Sequence, residues 1–189
     1  LRVNLEALAL SSLIALPLAY GSHVPVLRPL ARGLSQLRFL SPAVFFLVLL
    51  FAVKNGHAVK VGMLTLGETF FLATTMVNVV QNLPREAFDE ARVLRMTEWT
   101  ATWYVVVRGT FADALEAIRD NAAMGWSMLM MVESIIRSEG GVGVLLLNQE
   151  RYFRYDAIYA IALAILAVGL LEDFILRQVR AEACPYTTL

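Results

Sequence analysis

The chain has 189 residues, of which 58% are apolar and 17% charged, and its 16 basic and 16 acidic residues cancel to zero net charge. Soluble domains carry about a quarter of their residues as charges, so this composition points to lipid as the main solvent and gives no electrostatic reason to expect nucleic acid as a partner. Its one cysteine, Cys184, and two well-separated histidines, His23 and His57, exclude an internal disulfide framework and a multi-cysteine zinc site.

In chain order, Leu5 to Tyr20 is apolar apart from Glu6 and two serines. It has neither the basic leader nor the small-residue cleavage site of a secretory signal, and reads as a membrane helix. The chain opens Leu1-Arg2-Val3-Asn4 rather than with methionine, so a further helix is expected before it. Gly21 to Arg38 is a basic loop containing prolines and no acid, with a short helix in it. Phe39 to Val53 is apolar but for Ser41, and Lys54 to Lys60 is a tight polar turn. Val59 to Val80 is apolar yet carries Glu68, Thr75 and Asn78. Ala112 to Ile136 begins polar and becomes apolar after Asn121, and Ala157 to Leu176 is apolar until Glu172 and Asp173.

A bilayer core takes about 20 helical residues to cross, and open strands cannot satisfy their backbone groups in lipid. The expected fold is therefore all-α, a polytopic bundle of about five transmembrane helices forming a single membrane domain over residues 1–189. Between the third and fourth runs lies a polar island, Pro84 to Trp99, dense in charge and opened by a proline. It reads as a short amphipathic helix outside the bilayer, with Asp89 and Arg92 paired at i,i+3. If the island faces the cytoplasm, alternation puts Arg28, Arg32, Arg38, Arg85, Arg92, Arg95, Arg108, Arg119, Arg177 and Arg180 on that side. Arg2, Lys54, Lys60, Arg137, Arg151 and Arg154 fall on the other, an asymmetry in the direction of the positive-inside rule.

Charges inside a membrane helix cost about 2.5–3.5 kcal/mol each on insertion scales, so their ordinary place is an interior or aqueous face. Glu68, Thr75, Asn78 and Asn82 are spaced at seven, three and four, which puts them on one helical stripe. Arg119, Trp126, Met130, Glu133 and Arg137 make a second. Both stripes are candidates for a translocation path or a subunit seam, with Glu68, Thr75, Asn78, Arg119, Trp126 and Glu133 as the residues to watch. The plainer alternative for Glu133 is an ion pair with Arg137 one turn away. Met124, Met128, Met130 and Met131 around Trp126 read as adaptable core. Gly140-Gly141-Val142-Gly143 lacks the Lys-Ser/Thr of a phosphate-binding loop, so it reads as a tight re-entry turn. No nucleophilic set, metal cluster or cofactor motif is recognisable.

The island, with proline, an acidic pair, alanine and a basic, aromatic exit, resembles the cytoplasmic loop of ABC importer permeases. The resemblance extends along the chain. Leu16-Pro17-Leu18, Ser41-Pro42-Ala43, Ile118-Arg119, Gly125-Trp126, Val132-Glu133-Ser134-Ile135, the glycine-rich turn with Val144-Leu145-Leu146, Tyr155-Asp156, and Gly169-Leu170-Leu171 with Asp173 are similar in order and spacing to the permeases of nitrate, sulfonate, taurine and bicarbonate importers. It implies a type I importer permease with a coupling loop at about 82–109, carried in the inner (plasma) membrane and importing a small anion of that kind. The implied partners are two ABC ATPase subunits, a second permease subunit, an extracytoplasmic solute-binding protein and the lipid membrane. ATP hydrolysis belongs to the partner subunits, so this chain is not itself expected to be an enzyme. It also implies that Glu86, Ala87, Phe88, Asp89, Glu90, Ala91, Arg92 and Arg95 dock on the ATPase, the acids pairing with arginines there and Ala87, Phe88 and Ala91 supplying an apolar face. The loop departs from the family where glycine is usual, at Arg95 or its neighbours, and Val107-Arg108-Gly109 stands in place of leucine-proline. Rival classes are a membrane scaffold or embedded enzyme, which needs a polar catalytic cluster, and a secondary transporter, which needs inverted repeats.

Overall fold

The computed structural model describes residues 1–22, 33, 36–37, 42–53 and 55–184. The basic loop holding His23, Arg28, Arg32 and Arg38, the residues Phe39 to Ser41 that open the second apolar run, and Lys54 lie outside them. Among the described residues there are helices and no strands. Helix α1 is Arg2–Gly21. A short 3-10 turn, Pro42–Phe45, leads into α2, Phe46–Ala52. Helix α3 is Gly56–Gln81, and α4 is Arg85–Val93. Then α5, Glu98–Ala101, runs on as a π-helical stretch over Thr102–Arg108. Helix α6 is Phe111–Ile135, α7 is Val142–Arg151 and α8 is Tyr155–Ala183. Helices α1, α3 and α8 are each long and apolar enough to cross a membrane. Helix α6 has the length but opens with Asp113, Glu116, Arg119 and Asp120.

Local signals set several of these ends. Asn55 caps α3, its side chain accepting the His57 amide at 3.1 Å. Thr97 caps α5 through the Thr100 amide at 3.3 Å. Gly140 and Gly141, with φ of 66° and 128°, make the re-entry turn between α6 and α7, a backbone that glycine adopts without a Cβ penalty.

Helices α1, α3 and α6 form the centre. Glu6 meets His57 and Ser11 meets Glu68, so α1 and α3 run parallel. Helix α6 runs against them: its start, Ala114 and Ala117, packs on Ala15, Ala19, Leu72, Ala73 and Met76. Its end, Val132 and Ile136, packs on Val59 and Met63, with Phe46 and Leu49 of α2 alongside. Alanines fill the contacts because apolar lipid gives no hydrophobic push between helices, and small side chains let backbones approach closely. Helix α8 sits outside this trio, leaning on α6 and α7. Glu172 is its one buried residue among those described.

Candidate functional site

The island folds as the short helix expected. Pro84 precedes it in extended backbone, Glu86 occupies the first turn and Arg92 the last, each charge matching the helix dipole. Asp89 accepts from Arg92 at 2.8 Å, as the spacing predicts. Glu86, Asp89 and Glu90 are exposed, together with Val93 and Leu94, and these five residues line one groove. Ala91, expected on an apolar docking face, is instead buried beneath the helix. Ala87 and Phe88 are half-buried. The apolar part of the exposed face is therefore Val93 and Leu94, 82% and 67% exposed.

Arg95 explains its own departure. Its φ is 53°, its amide bonds the Arg92 carbonyl at 2.9 Å, and the Met96 amide reaches back to the Ala91 carbonyl at 3.1 Å. That bond pair is a Schellman ending, whose left-handed residue is most often glycine. The conformation belongs to the loop whichever residue fills it. Arg95→Gly is therefore expected to stabilise this turn by about 1 kcal/mol, the usual left-handed penalty for a residue with a Cβ. Amide exchange over 91–96 should slow in the variant; unchanged or faster exchange would show that the arginine side chain holds the turn.

The stripe on α3 divides. Glu68 is fully buried and accepts from Ser11 at 3.0 Å. Thr75 and Asn78 are exposed, lining a groove with Asn82, Pro84 and Asp113 beside the island. The first part of the α6 stripe, Arg119 and Trp126, faces α8. Arg119 lies 3.3 Å from Asp173, Glu116 lies 2.9 Å from Arg180, and Trp126 donates its indole N–H to Glu172 at 2.7 Å. Between the two helices is a cavity of about 350 Å³, with Arg119, Trp126, Glu172 and Asp173 among its lining residues and leucines on its walls.

Glu133 leaves this stripe for a different task. It accepts the Gly143 amide at 2.7 Å, placing a carboxylate at the start of α7, and makes no ion pair with Arg137. Lys60, also buried, donates to the Gly140 carbonyl at 2.5 Å. The glycine turn is thus clamped from α3 and α6 together. Asn4, Ser11 and Glu172 carry interior polar contacts that the sequence reading passed over.

The described residues thus form a helical bundle with three membrane-length helices, a charged helix exposed at one end and a polar seam between α6 and α8. Residues 9–181 match the family model for the binding-protein-dependent transport system inner membrane component. The chain belongs to that family and is a permease subunit of an ABC importer. No curated protein matches the sequence. Among solved structures, an amino acid ABC transporter crystallised with histidines superposes with a TM-score of 0.73 at 18% identity, covering 96% of this chain and 89% of its own. At that identity the likeness is one of fold.

Proposed function

We propose that this chain is one transmembrane domain, paired with a second permease subunit, and that α4 docks on a separate ATPase. The observation that carries this reading is the exposed face of Glu86, Asp89, Glu90, Val93 and Leu94, a charged rim around an apolar pair at the tip of a membrane bundle. Exposed apolar side chains ringed by charge suit a protein partner better than water. ATP-driven closure of the ATPases then pushes on α4, and the packed π-helical stretch and α6 pass the motion to the bundle. The family's name supports placing the chain in the inner (plasma) membrane with a solute-binding protein as partner, which on this reading meets the end opposite α4.

The solute is a separate matter. A small anion rests on sequence resemblance alone, and neither comparison supports it. The buried charges among the described residues are Lys60, which donates to the Gly140 carbonyl, and the carboxylates Glu68, Glu133 and Glu172. Competition for uptake among nitrate, a sulfonate and amino acids decides the class.

Docking is tested by a single cysteine at Leu94. In membranes it is expected to be shielded from an impermeant external thiol reagent and to form a disulfide with a cysteine in the ATPase groove. Labelling from outside would invert the topology and remove the docking assignment.

A further inference from the structure

Four helices meet at one buried polar cluster. Asn4 of α1 donates its amide to Glu172 of α8 at 3.3 and 3.4 Å, and Trp126 of α6 donates to the same carboxylate at 2.7 Å. Ser11 of α1 donates to Oε2 of Glu68 on α3. Oδ1 of Asn4 and Oε1 of Glu68 are left, both fully buried and without a hydrogen-bond partner among the described residues. They converge on one point: a Cβ on Gly125 would lie 2.5 Å from the first and 2.6 Å from the second. Both buried acceptors lie close to that one point and lack a donor, a costly arrangement in an apolar bundle.

The surrounding charges do not supply one. Around Glu68 stand Ser11 of α1, which donates to it, and Asn4 of α1 and Gly125 of α6 beside its Oε1, with Glu172 of α8 reached through Asn4. Arg119 is engaged with Asp173, Asp120 and Glu116, and Lys60 with Gly140. Arg2 and His57 both bind Glu6, and Glu133 holds Gly143.

We propose that Glu68 and Glu172 share one bound proton, carried on Oε1 of Glu68 and donated to Oδ1 of Asn4. Binding forms one O–H bond with a proton taken from water and leaves the pair with a single negative charge, on Glu172, where two N–H groups already receive it. Turning the Asn4 amide over would move the acceptor–acceptor contact to Glu172 but would still call for one proton, so the count does not depend on that assignment. The occupied site is a latch for α8, because Glu172 is the residue by which that helix is buried. Losing the proton places a second carboxylate charge against Asn4 and loosens α8 from α1. The cavity beside Trp126 and Glu172 borders the site on the Glu172 side.

The test uses the assembled transporter in lipid nanodiscs, with infrared detection of protonated carboxyl groups and a thermal melt. Glu68→Gln copies the shape and the donor of the neutral acid, so it should melt like wild type and lose a carboxylic-acid C=O band. Glu68→Ala and Glu172→Gln should melt lower, and Glu172→Gln should keep the band. A band retained in Glu68→Gln overturns the proposal. So does Glu68→Gln melting as low as Glu68→Ala, or failing to assemble, since glutamine reproduces every bond assigned to the protonated acid. A band that vanishes in Glu172→Gln overturns the assignment of the proton to Glu68.

Discussion

Gly125→Ala is expected to lower the thermal midpoint of the assembled permease by several degrees. The added carbon would stand 2.5 Å from Asn4 Oδ1 and 2.6 Å from Glu68 Oε1, far inside contact distance. Neither oxygen belongs to a flexible tip in open space; both are fully buried between helices. Relief therefore requires α6 to move away from α1 and α3, and overpacking of this kind costs about 1–3 kcal/mol. The polar contacts to Ser11 and Glu172 would stretch with it. Gly169→Ala on α8 is the control, because its Cβ would meet only the Trp126 ring, at 3.9 Å. Equal melting of the two variants would mean that α6 does not pack as described.

Glu133→Leu should release the start of α7. The carboxylate takes the Gly143 amide at 2.7 Å, and the neighbouring turn passes so close that a Cβ on Gly141 would overlap its carboxyl carbon at 2.3 Å. Loss of a buried cap of this type costs about 1–2 kcal/mol, and removing the charge from the helix start adds to it. Amide exchange over 140–151 should accelerate, whereas α3 and the island should exchange as before. Glu133→Gln keeps an acceptor for Gly143 and is expected to transport near the wild-type rate. Transport lost in the glutamine variant, with α7 still protected, would put Glu133 on the solute path instead.

What the sequence made legible was the set of apolar runs, because lipid forces every spanning segment to satisfy its backbone internally. Helices α1, α3, α6 and α8 fall where those runs do. The island was readable too, since charge density in so apolar a chain has few places to go. Interior chemistry was harder to read. Asn4 and Glu172 stand at the margins of apolar runs, where a polar residue ordinarily marks the edge of a span. Helix α8 continues past the expected boundary to Ala183, which carries Glu172 inside. Helical spacing put Glu68, Thr75 and Asn78 on one stripe, but it does not say where neighbouring helices cover that stripe, and here they cover Glu68 alone. The inward turn of Ala91 follows from packing of α4 on the segment after it, which no local pattern encodes. The sequence places Arg95 where glycine is usual, but only the backbone angle shows that the glycine preference is conformational.

The docking role of α4 is tested most directly by solute-stimulated ATP hydrolysis in the reconstituted importer carrying Glu86→Lys with Glu90→Lys. Both side chains are exposed and make no ion pair among the described residues, so the membrane bundle should insert and melt as in wild type. ATPase association should weaken, solute should no longer stimulate hydrolysis, and a compensating reversal in the ATPase groove should restore part of the loss. Wild-type association and wild-type stimulation in the doubly reversed protein would contradict a coupling role for this helix.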